Sequence, residues 1–278
     1  MPFTPSHAVV ALPFLRTPLV PAAIAIGAMT PDLPLFVRFG PLGYGRTHDL
    51  AWLPVTMLVA LALLLLWRCA LRPATRELSP GWLAARLPRE WDRGAAGALR
   101  DTFGVRPVRE HGRPQRWSAS WPAFLLLAAS LAIGVASHIV WDLFTHEGRW
   151  GVAMMPALEN PWGPLAGYKW LQYGSSVIGL SVIGVWGLLW LRRRSPRLPP
   201  VRVLPAWVRW AWWLSLPVVL MAAWLAGLAA LGPFDGAFTP QHLAYRVLPP
   251  ACAVWGMLTL ALALAVQVVR STRRRVPA

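Results

Sequence analysis

Residues 121–146 read WPAFLLLAASLAIGVASHIVWDLFTH. From Trp121 to Phe144 the run is apolar and, at roughly 1.5 Å per residue, long enough to cross the ~30 Å hydrocarbon core of a bilayer as one helix. Its end carries His138, Asp142 and His146, three metal-capable side chains spaced four apart. A helix turns about 100° per residue, so each step of four rotates a side chain by only about 40° and all three share a face. Two such residues at i and i+4 can chelate one ion. His138 and His146 sit about 12 Å apart along a straight helix, which leaves two arrangements. Either Asp142 lies between two ions, or the helix stops near Phe144 and His146 swings in from the loop. His138 lies inside the apolar run, where ionisable groups are expensive and usually functional, so a metal site is favoured over ordinary polar residues at headgroup level.

Four further apolar stretches accompany this one: Leu50–Trp67, Gly174–Leu191, Trp210–Leu231 and Leu248–Val269. With 56% hydrophobic and only 14% charged residues among 278, the composition is that of an all-α, multi-spanning membrane helix bundle. We expect about five transmembrane helices in a single membrane domain over 1–278. No cleavable signal peptide is expected, because the N-terminus lacks a basic n-region and a small-residue cleavage site.

The net charge of +16 does not indicate nucleic-acid binding, because the basic residues stand in three blocks beside the spans. Arg68–Arg116 holds eleven Arg against five acids, Arg192–Arg209 six Arg and no acid, and Arg270–Arg275 four. The positive-inside rule assigns all three, and hence the C-terminus, to the cytoplasm. The segment 68–120 is then a basic cytoplasmic loop lying along anionic headgroups, with Trp82 and Trp91 at the interface and His111 as a solvated loop residue. The outer side collects 32–49, 146–173 and 235–242. Cys69 and Cys252 fall near opposite faces, so no disulfide joins them.

Residues 5–29 are apolar but interrupted by Pro13, Pro18, Pro21 and Arg16. Interior prolines remove backbone hydrogen bonds and clash with the preceding turn, so this segment reads as two short helices joined near Arg16–Pro18. Thr4 would cap the first, with Pro5 at its first position. Such a hairpin returns the chain to its starting side and brings His7 and Asp32 to one face. Asp32 stands in MTPDLP and His48 in RTHDL, just ahead of the first span. Topology thus gathers His7, Asp32 and His48 on the face that holds His138, Asp142 and His146. A mixed His and carboxylate set without sulfur suits a divalent metal, zinc foremost, with manganese or iron as alternatives.

The stretches MPFTPSH, MTPDLP, RTHDL and SHIVWDLFTH resemble the bacterial membrane proteins grouped as domain-of-unknown-function family 4184. More distantly they are similar to inner-membrane proteins described as metal-dependent hydrolases, themselves compared with all-helical zinc phospholipases C. The resemblance covers the first fifty residues and roughly 120–185, including YKWLQYGSS, and not the last two spans. It implies metal-ligand roles for His7, Asp32, His48, His138, Asp142 and His146. One departure is Asp49, where the family pattern implies Ser; it could be a further ligand, a base, or a tolerated headgroup-level acid.

Together these expectations describe a metal-dependent hydrolase at the outer face of the cytoplasmic membrane, acting on a phosphoester of a lipid or lipid-linked substrate. Asp32 and His48 would serve the chemistry as well as the ion. Lys169, the single lysine, would meet the phosphate, with Arg46 and Arg149 as other outer-side cations. Two alternatives belong to other classes: a non-catalytic membrane protein fastened by a structural metal, and a transporter. The latter requires polar residues at mid-membrane on several spans, and the last three spans offer little beyond Ser, Gly, Trp and aliphatics.

Overall fold

Backbone hydrogen bonding carries the helices beyond the limits of hydropathy in the computed structural model, which describes residues 3–37, 42–108, 116–198 and 201–275. Among the described residues, five helices are long and apolar enough to cross a membrane: Leu50–Leu78, Trp121–Thr145, Gly167–Arg192, Ala206–Leu231 and Pro240–Arg273. The chain is a multi-pass membrane protein built almost entirely of helix. All five spans stand where the apolar runs predict them. The third starts seven residues earlier than its apolar run, which places Lys169 and Gln172 within the helix. Hydropathy marks lipid contact, whereas a helix continues for as long as its carbonyls find donors.

The first span is also longer than expected. Beyond Leu66 it widens into a π turn, Trp67–Leu71, and resumes as Arg72–Leu78. Pro73 lies at the start of that last segment and has no N–H to give to the preceding turn. A widened turn accommodates the missing bond.

The chain divides into two compact units. One comprises Met1–Leu33, Gly40–Leu65 and Leu99–Arg194. Its N-terminal hairpin is present, though its first arm, Thr4–Arg16, is a 3-10 helix and its second, Pro21–Met29, an α-helix. Thr4 does not cap the first arm, because Phe3 occupies the cap position and the Thr4 hydroxyl is engaged elsewhere. The second arm packs backbone to backbone on the second span. A Cβ on Gly134 would lie 2.3 Å from the Ile24 carbonyl, and one on Gly27 would lie 2.8 Å from the Leu131 carbonyl. Only glycine allows this approach. Around it Ala23, Ala60, Leu64, Leu127, Leu131, Val135 and Ile139 form the core. Polar ties fix the hairpin at both ends: the Val20 amide donates to Ser130 Oγ at 2.9 Å, and the Phe3 amide to Ser176 Oγ at 2.9 Å.

The second unit comprises Pro34–Phe39, Leu66–Ala98 and Ser195–Ala278. Here the basic segment departs from the expected headgroup-lying loop, because Arg76 and Glu77 are buried. Arg76 pairs with Asp92. Glu77 accepts from Arg270 at 3.1 Å and from the amides of Val203 and Leu204 at 3.1 and 3.0 Å. Opposite charges within the segment and its neighbours satisfy one another, which sequence charge counts do not anticipate. His111 lies outside the described residues. Cys69 and Cys252 are free thiols.

Candidate metal centre

Two short elements and one span supply the polar cluster of the first unit. Asp32 ends a 3-10 turn, Thr30–Asp32, that follows directly on the hairpin. His48 terminates the short helix Tyr44–Thr47, and that helix is pinned to the Asp32 turn by the Thr47 hydroxyl, which donates to the Pro31 carbonyl at 2.7 Å. His138 and Asp142 stand one turn apart on the second span. All four side chains are buried.

The two imidazoles are oriented by backbone carbonyls. His138 Nδ1 lies 2.7 Å from the Ala28 carbonyl and His48 Nδ1 lies 2.9 Å from the Tyr44 carbonyl. A carbonyl can only accept, so each Nδ1 carries the hydrogen and each neutral ring presents a lone pair at Nε2. Those two Nε2 atoms face each other at 3.1 Å. Two acceptors at that distance repel unless a proton or a cation lies between them. Carboxylates complete the set: His48 Nε2 is 3.6 Å from Asp32 Oδ1 and 3.4 Å from Asp142 Oδ2. His138 Nε2 is 3.7 Å from Asp32 Oδ1 and 3.5 Å from Asp142 Oδ2. A tetrahedral ion with ligand bonds of about 2.0–2.2 Å has donors about 3.3–3.6 Å apart. The residues therefore fit a divalent metal in donor type, in spacing and in the orientation of both rings.

The charge balance agrees. Burial works against a charged His48, yet hydrogen bonds to Asp142 and Asp32 outweigh it and the imidazole is pushed up to about 8. Asp32 is held below the ordinary carboxylate range, since hydrogen bonds from His48 and Thr4 overcome the penalty of burial. The environment thus favours positive charge between the carboxylates, whether carried by a proton or by an ion.

His7 and His146 flank this set in different ways. The His7 ring stacks on His138 with centroids 4.0 Å apart, and burial, with His138 beside it, lowers it to about 4. His7, His138 and Asp142 form a second group close enough to share an ion. The span ends at Thr145, and His146 is its extended cap residue. His146 therefore turns in from the loop, placing Nδ1 3.5 Å from the same Asp142 oxygen that faces His48 and His138. Its Nε2 meets the Gln172 side-chain amide at 3.2 Å.

The family described as Domain of unknown function (DUF4184) matches residues 1–269. The chain belongs to this family. The match reaches through the last two spans, which the short motifs alone do not cover. No curated protein and no solved structure matches the chain.

Other positions of this DUF4184 protein singled out in the sequence fall away from the cluster or serve it indirectly. Asp49 is an exposed helix cap that accepts from the Ala51 amide at 2.9 Å at the start of the first span, which accounts for an acid at that position without a ligand role. Lys169 is half-buried in the first turn of the third span, one turn ahead of Gln172. Arg46 stacks over Trp52, and Arg149 caps the short helix Trp150–Met154. His242, in the first turn of the last span, bonds back to the Thr239 hydroxyl. Two residues at the centre carry no sequence signal for a role there. The Thr4 hydroxyl donates to Asp32 Oδ2 at 2.6 Å, and Gln172 orients His146. Each becomes visible only once distant segments are in contact.

Proposed function

We propose that this DUF4184 protein is a membrane-embedded, metal-dependent hydrolase of a phosphoester in a lipid or lipid-linked substrate, working at the outer face of the bacterial cytoplasmic membrane. One observation supports it most directly: His48 and His138 turn their Nε2 lone pairs toward each other between two carboxylates, with both Nδ1 atoms fixed by carbonyls. Asp32, His48, His138 and Asp142 would hold the ion, with zinc first and manganese or iron sharing the ligand preference. When bound, the ion would supply Lewis-acid polarisation of a phosphoryl oxygen and a lowered pKa for water.

The chain's own residues supply the rest. His7 Nε2 and Asp142 Oδ1 are buried atoms without a hydrogen-bond partner among the described residues, and each can accept a hydrogen bond from, and so orient, water beside the cluster. Burial of all four donors excludes bulk solvent and strengthens every charge interaction there. Lys169 is assigned to the phosphate's negative charge. His138 lies seven residues before the end of its span, about 10 Å along the helix, a depth that a lipid head group reaches. The outer side follows from assigning the basic blocks to the cytoplasm.

A second reading has its own support. A set of four protein donors also describes a closed structural site that fastens the hairpin to the second span. Metal analysis of detergent-purified protein, with a fluorescent phospholipid hydrolysis assay on the parent, His138→Ala and Asp142→Ala, separates the two. Bound metal with hydrolysis lost in both variants supports the hydrolase. Bound metal with no hydrolysis in the parent supports fastening, and a parent protein without bound metal refutes both.

A further inference from the structure

Beside the metal centre, and separated from it by one imidazole ring, lies a cleft of about 460 Å³ between the first arm of the hairpin and the second and third spans. His7, Val9, Val10, Ser137, Trp141 and Ile178 line it. Its volume falls in the roughly 300–1,000 Å³ range of sites that enclose an organic ligand. Where the third span meets the hairpin, Gly179 touches Ser6: a Cβ there would lie 2.9 Å from the Ser6 carbonyl. That contact closes one side of the cleft and leaves an open slot on the other.

The wall chemistry selects the occupant. The Ser137 hydroxyl donates to the Gly134 carbonyl at 2.7 Å and the Ser175 hydroxyl to the Gln172 carbonyl at 3.2 Å. The Trp141 indole N–H donates to Ser175 Oγ at 3.2 Å. These polar groups are engaged within the protein and leave an apolar wall of methylene, methyl and ring surface. Trp141 and Ile178 are 41% and 65% exposed and belong to membrane spans, so the open side of the slot faces lipid. At the inner end the pattern reverses. His7 is only 9% exposed, its Nε2 has no hydrogen-bond partner among the described residues, and its ring stacks on His138, one of the proposed metal-centre donors.

We infer that this slot seats the apolar chain of a membrane lipid, entering sideways from the bilayer, with His7 at the junction between the chain and its polar head. The inference deepens the hydrolase proposal, on which its placement of the head group rests, by naming an amphiphile with a single accommodated chain as the substrate class. Moving a chain from bilayer to slot gains little hydrophobic free energy, because lipid tails are as apolar as the wall. Retention therefore depends on the head group at the His7 end, and a headless hydrocarbon is not retained.

The full-length protein in phosphatidylethanolamine and phosphatidylglycerol vesicles, photolabelled with a diazirine-bearing phosphatidylglycerol and mapped by peptide mass spectrometry, tests this. Labelling is expected to be several-fold higher on Val9, Val10, Trp141 and Ile178 than on Leu125, Val185 and Leu188, which are 57–62% exposed on the same two spans. A diazirine alkane is expected to show no such enrichment. Val10→Trp and, independently, Ser175→Phe fill the slot and are expected to abolish the enrichment while bound metal is unchanged. Even labelling over all exposed positions, enrichment that survives both filling variants, or crosslinks to a second copy of the chain in place of lipid would overturn the inference. Even labelling with metal retained defeats the slot alone; enrichment in a protein that binds no metal defeats the hydrolase proposal and leaves the slot.

Discussion

Replacing Gly134 by alanine tests the link between helix packing and the metal centre. The new Cβ would lie 2.3 Å from the Ile24 carbonyl, 2.9 Å from the Ala28 amide and 3.0 Å from Gly27 Cα, where ordinary contacts begin near 3.4 Å. All three neighbours are backbone in a close-packed interface, so the hairpin helix must retreat by about 1 Å rather than flex a side chain. The Ala28 carbonyl travels with it, and its 2.7 Å bond to His138 Nδ1 lengthens to about 3.7 Å, beyond hydrogen-bond range. The imidazole then loses the partner that fixes its tautomer and aim, a change that lowers metal affinity by about 10–100-fold. Competition against a chromophoric chelator on detergent-purified protein measures this directly, with circular dichroism confirming retained helix. Gly184→Ala and Gly187→Ala, where an added Cβ meets nothing within 4 Å, serve as controls with unchanged affinity. Parent-like affinity in Gly134→Ala would refute the claim that this packing orients His138.

Four other outcomes are expected. Asp142→Asn keeps the side-chain shape but removes the charge facing His48, His138 and His146, and bound metal measured by mass spectrometry should fall well below the parent stoichiometry. Thr4→Val leaves Asp32 Oδ2 without its hydroxyl donor, a loss of about 1–3 kcal/mol at a buried group, and should weaken metal binding without abolishing it. Lys169→Met should lower kcat/KM for a phosphoester substrate while metal content stays at the parent level, and unchanged kinetics would remove Lys169 from the site. Glu77→Ala should destabilise the second unit by about 3–5 kcal/mol, because it strands the partners of a buried charge. Thermal unfolding reads that loss, and metal content should not change, since the centre belongs to the first unit.

How much of the site was legible in the sequence depended on whether its geometry was local. His138 and Asp142 share a helix face by periodicity alone, and the span carries them as expected. The hairpin was legible from its prolines, because a missing N–H is a local fact, although its first arm is 3-10 rather than α. His146 was not decidable, since its place depends on where the helix stops. It stops at Thr145, with Gly148 at a positive φ of 70° in the turn beyond. Thr4 carried a capping signature that a long-range bond to Asp32 displaced. Gly27 and Gly134 read as ordinary small residues until their partners are known. In the basic segment the charge count suggested a solvated surface, and burial of Arg76 and Glu77 against oppositely charged neighbours was invisible to it.

The centre also has an order of assembly. His7, Asp32 and His48 leave the ribosome early, yet His48 faces a partner ninety residues further along, His138, and the Phe3 amide waits for Ser176. The early segments therefore enter the membrane as an incomplete half-site, with a carboxylate and two imidazoles lacking the second span's donors. If the centre takes up an ion as proposed, its full donor set would exist only once that span is in place, so metal loading would report that the first unit has closed.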